Sequence, residues 1–285
     1  MLYEYYIKSL LTLPSVALPA ELTGELVAFA LLLCFLGLSN LENHFPKIHK
    51  AVGQKRRSYR INISLFVFNN ILMSVLSVST LFIIAHRYSS YGLLNYVPSP
   101  ALKALLAFLA IDLALYAWHY CCHRVDAFWL FHRVHHNDPY LNVSTAFRLH
   151  FVEILITNSL KALLIVLLGI DKVLVLVIET LVTLCIMSHH TNIAFRYERI
   201  LGRFMIVPFL HRLHHSTERS EHDRNYGAVL TVWDKLFGTL SELEPNAIGI
   251  KGNSPQDLLN LIKFGFGVET PIHVVPANLD VMIAE

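Results

Sequence analysis

Long stretches of this chain keep an apolar residue at almost every position, without the alternation of a half-buried strand or the single stripe of a soluble amphipathic helix. Runs of the length that crosses a bilayer, about 17 to 25 residues, fall near residues 25–41, 61–85, 101–118, 151–169 and 172–188. The last two flank Gly169-Ile170-Asp171-Lys172, which predicts a tight helical hairpin. Lys161 and Glu179 lie equally far from Ile170 on its two arms. They are expected to share a depth and to pair, because an unpaired charge in the bilayer costs at least about 2.5 kcal/mol. The start, MLYEYYIKSLLTLP, lacks the basic region and uninterrupted apolar core of a cleavable signal, so the first run is expected to be retained. The predicted fold is all-α, a polytopic membrane protein with about four to five transmembrane helices. Residues 1–240 read as the integral membrane domain. Residues 241–285 read as a peripheral tail whose amphipathic stretch, PQDLLNLIKFGF, is expected to lie at the membrane surface.

Composition agrees with a membrane class. Of the 285 residues 54% are apolar and 15% charged, against roughly 25% charged in a soluble domain, and the mean hydropathy is +0.49. These values exclude a disordered chain, and a net charge of +2 gives no reason to expect nucleic acid as a partner. The cysteines Cys34, Cys121, Cys122 and Cys185 sit in apolar segments with no framework spacing; Cys121 and Cys122 read as small packing residues. Charge placement sets orientation instead. Lys47, Lys50, Lys55, Arg56, Arg57 and Arg60 follow the first run, whereas little beyond Arg87 and Lys103 follows the second. By the positive-inside rule the first of these loops is cytoplasmic. Counting onward places 119–150 and everything after 189 on the cytoplasmic side, and the hairpin turn on the far side.

Histidine is the outlier, with 13 of 16 from His119 onward. His119 and His123 share a helical face at i and i+4. His132, His135 and His136 follow as HxxHH, and the pattern returns as His211, His214 and His215. His150 and His190 bring the candidate ligands to ten, all on the predicted cytoplasmic side. One zinc would take four ligands at most, so this many imidazoles point to two metals. No HExxH and no carboxylate within a cluster is present to serve a zinc hydrolase. Two irons activating dioxygen against an unactivated C–H bond fit better, with zinc as a possible substitute in the site.

The ordered motifs resemble the fatty acid hydroxylase superfamily, which includes sterol desaturases and sphingolipid and fatty acid hydroxylases. They are Asp112-x-x-x-Tyr116-x-x-His119-x-x-x-His123, Phe131-His132-Arg133-Val134-His135-His136 and Arg148-Leu149-His150-x-x-Glu153. They continue through His190-Thr191-Asn192, His211-Arg212-Leu213-His214-His215-Ser216, Asp223-Arg224-Asn225-Tyr226-Gly227 and Trp233 to Thr239. The resemblance covers roughly 105 to 240. It implies an integral membrane, di-metal, oxygen-dependent enzyme with a helical cytoplasmic cap that carries the histidines. Members often have arginine directly after the first motif histidine, where this chain has Tyr120; His190 is preferred over His189 because Thr191-Asn192 follows it.

Metal-bound imidazoles usually donate their second N–H to an orienting acceptor. Asp112, with Tyr116, is the candidate for His119; Asp223 and Asn225 are the candidates for the last cluster, and Trp233 to Thr239 is expected to pack the cap. His222 is expected outside the ligand set. No dinucleotide motif, P-loop or fused haem domain is visible, so electrons are expected from a separate ferredoxin or cytochrome, received by Arg196, Arg199, Arg203 and Arg212. The expected activity is O2-dependent hydroxylation or desaturation of a fatty acyl, sphingoid or sterol-like lipid. The competing readings are a histidine-rich metal transporter, which needs ligands spread through the spans, and a zinc-dependent lipid hydrolase, which works without oxygen.

Overall fold

The computed structural model describes residues 20–49, 51–76, 80–252 and 254–268; the signal-peptide reading and the last residues of the tail lie outside them. Helix is the regular structure of the described residues, interrupted by loops and two isolated bridges, Met205 with Leu230 and Ser216 with Ile248. Four helices have the length and hydropathy to cross a membrane: residues 24–44 of α1 (Ala20–His44), α4 (Pro100–Arg124), α6 (Phe151–Leu168) and α7 (Lys172–His189). Phe29, Leu32, Leu33 and Leu36 of α1 are exposed, which a bilayer tolerates and water does not.

Local chemistry sets the helix ends. Ser99 accepts from Leu102 N, and Pro100 fills the first turn of α4, where its missing N–H costs nothing. Asp171 accepts from Val173 N and Leu174 N to open α7. Gly169 closes α6 in the left-handed conformation at φ 70°. The expected hairpin is therefore present, and Lys161 Nζ donates to Glu179 Oε2 at 2.8 Å across it.

The second predicted span is not one helix. α2 (Val52–Val75) begins nine residues before 61, and α3 (Leu81–Tyr88) starts afresh where Thr80 accepts from Ile83 N. Polar residues explain the early start. Ser58 and Asn62 donate to Asp138 at 2.7 and 2.9 Å, and Asn69 donates to Leu149 O at 2.8 Å, so the first half of α2 belongs to the cap. α3 packs against α6 and α7, and beyond it the chain passes Gly169 so closely that a Cβ on Gly92 would lie 1.7 Å from Gly169 N. The variant Gly92→Ala is expected to lower the thermal midpoint in detergent by the equivalent of about 1–3 kcal/mol or more, the cost of overpacking; an unchanged midpoint would contradict this contact.

The cap is built from α5 (Asp126–His136), a 3-10 turn at Val143–Phe147, α8 (Pro208–His214), α9 (Val232–Leu236) and α10 (Leu258–Gly265). Its centre is polar, and Asp138 and Arg148 are paired there. Asp138 also accepts from Thr145 Oγ1 at 2.8 Å. Burial alone would raise this carboxyl, but the buried Arg148 and the three side-chain donors hold it below the usual range. Arg148 reaches Val134 O, Asn62 Oδ1, Asn137 O and Gln256 Oε1. The stretch read as a surface helix docks into this cap: Leu261 of α10 is fully buried against Ile61, Leu65 and Val134.

Candidate metal centre

α5 starts directly after α4, so His119 and His123 at the end of one helix meet His132 and His136 along the next. In a helix, residues i and i+4 stand about 40° apart, whereas i+3 and i+4 stand about 100° apart. An HxxHH triplet therefore cannot aim all three rings at one point. The structure divides both triplets, and does so reciprocally. His132 and His136 join His119, His123 and His214 in one group of donors lying within 4.8 Å of one another; His211 and His215 join His135 and His190 in a second. Each triplet thus gives its i, i+4 pair to one group and its middle histidine to the other. The groups are in direct contact, with the rings of His136 and His215 stacked at 4.5 Å.

Hydrogen bonds on the rear of the rings fix which nitrogen faces inward. His119 Nδ1 donates to Tyr226 O at 2.8 Å, His214 Nδ1 to Arg224 O at 2.7 Å and His190 Nδ1 to Ile186 O at 2.7 Å. His132 Nδ1 donates to Glu153 Oε1 at 2.7 Å and His123 Nδ1 to Asp223 Oδ1 at 3.2 Å. Each bond leaves the Nε2 lone pair free for a metal. Among the described residues His123 Nε2, His214 Nε2 and both nitrogens of His136 are buried without a partner, an expensive arrangement unless something is bound there. In the second group successive Nε2 atoms of His135, His190, His211 and His215 stand 3.0–3.1 Å apart. Ligands at about 2.0–2.1 Å from one ion have about this separation in adjacent positions. The donor set fits metal ions in both groups.

Burial and mutual repulsion keep the rings neutral. His135, His136, His211, His214 and His215 are held well below the ordinary imidazole range, first by desolvation and then by neighbouring histidines. Burial lowers His190 to about 4, partly opposed by the Ile186 carbonyl. Neutral imidazole is the form that binds metal. The same shifts make the metal-free fold acid-sensitive, because the unfolded chain takes up protons near pH 6.5 whereas the folded rings take them up only at lower pH, His190 at about 4. Between those values stability falls as pH falls. The melting temperature of chelator-stripped protein is expected to drop between about pH 7 and about pH 5; a flat profile would contradict the neutral, buried cluster.

Nine of the ten candidate histidines lie in the two groups. His150 does not: its Nδ1 accepts from Val152 N as the cap of α6, and its Nε2 lies 3.3 Å from Ile262 O. It belongs to the packing of α10, where a Cβ on Gly265 would sit 2.4 Å from its ring. His189 packs on His211 at 4.1 Å but is in neither group. His222 stacks on Trp129 and lies with Asp223 beside His123.

Among the proposed orienting residues, Asp223 meets His123 rather than the last cluster. Asn225, at φ 56°, ties Leu210 O to Ser241 O and makes no hydrogen bond to a histidine among the described residues. Tyr116 pairs with Thr239 Oγ1 at 2.9 Å. Asp112 accepts from Val229 N, Leu230 N and Trp233 Nε1, and so acts on His119 only through the loop that presents Tyr226 O. Asp234 holds the same loop by accepting from Tyr226 N and Gly227 N. Arg212 is 2% exposed, which removes it from any docking surface. Glu153 was not assigned by spacing. Its signal is a lone carboxylate in the first turn of a membrane-length helix, and its role is to hold His132. Cys122 is buried near both.

A cavity of about 230 Å³ opens beneath the two groups, bounded by His119, His132, His135, His190 and His211 at one end and continuing between α4, α6 and α7. The class is thus an all-helical membrane protein with two adjoining histidine metal groups over an intramembrane cavity. The fatty acid hydroxylase family model matches residues 104–239, and the segment that builds the centre belongs to the fatty acid hydroxylase superfamily. Ornithine lipid hydroxylase of Rhizobium tropici is 31% identical over 162 residues, 56% of this chain and 49% of that protein. Human alkylglycerol monooxygenase is 33% identical over 134 residues, 47% of this chain and 29% of that protein. Mouse cholesterol 25-hydroxylase is 27% identical over 168 residues, covering 52% and 54%. The chain spans about half the length of these relatives or less. No solved structure matches it.

Proposed function

We propose that this chain is an O2-dependent, di-iron membrane hydroxylase of lipids, with residues 105–240 as its catalytic core and electrons from a separate ferredoxin or cytochrome. The observation that carries this reading is the opening of both histidine groups onto one cavity between membrane helices, where a hydrocarbon chain and the reactive centre meet without water. The similarity to lipid hydroxylases and monooxygenases supports it. A pair of bound iron ions supplies the oxidising power for an unactivated C–H bond. The chain's residues do the rest. Nine imidazoles would hold the ions, while Glu153, Asp223 and the Tyr226 and Arg224 carbonyls fix ring orientation. The apolar walls at Leu115, Val182 and Ile186 align the chain and exclude water.

In this reading the cap faces the cytoplasm, as the positive-inside rule expects. Lys47 N donates to Asn192 O, and Lys55 pairs with Glu42, so the basic loop lies on the histidine side of the molecule. Exposed Arg199, with Arg196 and Arg203 nearby in sequence, remains on that face for an acidic donor. The test supplies lipid, a reductase system and isotopically heavy dioxygen. The expected product is a hydroxylated lipid carrying the label from dioxygen. Turnover without oxygen, or label only from water, would overturn the reading in favour of a hydrolase.

A further inference from the structure

The face of α6 that lines the cavity runs through Glu153, Ile154, Thr157, Asn158 and Lys161, positions three or four apart as one helical face requires. Its lower part is unexpectedly polar for a site within a membrane. Lys161 carries three donors and gives one to Glu179, and the pair is open, with side chains 13% and 27% exposed. The Asn158 amide is half-buried and makes no hydrogen bond among the described residues, although it lines the cavity. Trp118, whose buried indole N–H has no acceptor among the described residues, lines the same space and the small void that continues past Lys161. Ionisable and amide groups at this depth are expensive and mark ligand contacts more often than packing.

A staple between α6 and α7 explains the ion pair alone. It explains neither Asn158 nor the indole. Three donor groups without sufficient acceptors suit a ligand oxygen, and the Glu179 carboxylate beside Lys161 makes the locus neutral overall, which disfavours an anion and suits a hydroxyl. Glu153 and Lys161 are eight residues apart, about 12 Å along the helix.

We infer that the cavity floor at Asn158 and Lys161, with Glu179 paired to Lys161 beside it, binds an uncharged hydroxyl of the lipid about 12 Å along α6 from Glu153, the residue that holds His132, so that the substrate is a hydroxyl-bearing lipid oxidised at a carbon remote from that group. This rests on the reading of the cavity as the lipid site. The test measures binding instead of turnover. The metal-loaded 285-residue chain in detergent is equilibrated with dodecanol, dodecane or dodecanoate, and bound lipid is counted by mass spectrometry against empty micelles. Wild type is expected to prefer dodecanol over dodecane by about tenfold, the effect of a good hydrogen bond in a dry site. N158L is expected to lose most of that preference with dodecane binding unchanged, and K161M/E179M to lose it as well. N158L removes no hydrogen bond of the fold, so it remains informative if the double variant is unstable. Equal binding of dodecanol and dodecane by wild type, or a preference that survives in N158L, overturns the hydroxyl site while leaving the lipid cavity standing. Tighter binding of dodecanoate than of dodecanol overturns the choice of a neutral ligand. Binding of none of the three overturns the cavity reading itself.

Discussion

The variant His214→Ala is expected to share its defect with His136→Ala and not with its neighbour in sequence, His215→Ala. His214 and His136 belong to the five-histidine group, whereas His215 belongs with His135, His190 and His211. Removal of either of the first two should weaken metal in that group and leave the four-histidine group loaded; His135→Ala and His215→Ala should do the reverse. Hydroxylation should fall by at least about a hundredfold in all four variants, because removing a ligand is more severe than removing an outer partner, which itself costs about 10–100-fold. The pairing is read by metal content and by the absorption or Mössbauer signature of the remaining ion. If His214→Ala and His215→Ala give one signature and His135→Ala and His136→Ala another, the reciprocal division is wrong and each motif serves its own metal.

The second large effect is expected at Glu153. Its Oε1 accepts from His132 Nδ1 at 2.7 Å, it is 6% exposed, and its other oxygen has no partner among the described residues. Ionised, it fixes the His132 tautomer and strengthens the ring as a donor. Glu153→Gln can still accept that hydrogen bond but removes the charge, and should reduce metal affinity by about 10-fold; Glu153→Leu leaves the ring unanchored and should reduce it by about 100-fold or more. Competition with a chelator of known affinity measures both. Equal affinities in wild type and Glu153→Leu would show that the carboxylate does not support the ligand.

Much of the centre is legible in the chain because metal ligands on helices must recur at i, i+3 and i+4, and histidine recurs so three times here. The division of the two triplets is not legible, since it depends on how α5 and α8 face each other. Spacing also cannot separate a ligand from a helix cap. His150 lies in the same run of motifs as the ligands, and only the fold shows its ring turned to Val152 N and Ile262 O. Asp112 sits on the face of His119, which suggested a direct bond, but its partners are more than a hundred residues ahead. The early start of α2 has a cause that hydropathy does not show. Hydropathy averages over Ser58, Asn62 and Asn69, whose polar partners in the cap come from the segment 138–149. The hairpin was readable in full, because Gly169, Asp171 and the Lys161–Glu179 pair are all local signals.

The most direct test of the two-metal centre is iron content per chain, measured by elemental analysis of detergent-purified protein for wild type and for His135→Ala/His211→Ala. The proposed function predicts about two irons in wild type and about one in the double variant, which strips the four-histidine group alone. One iron in wild type, or none in the double variant, would contradict two separately held metals.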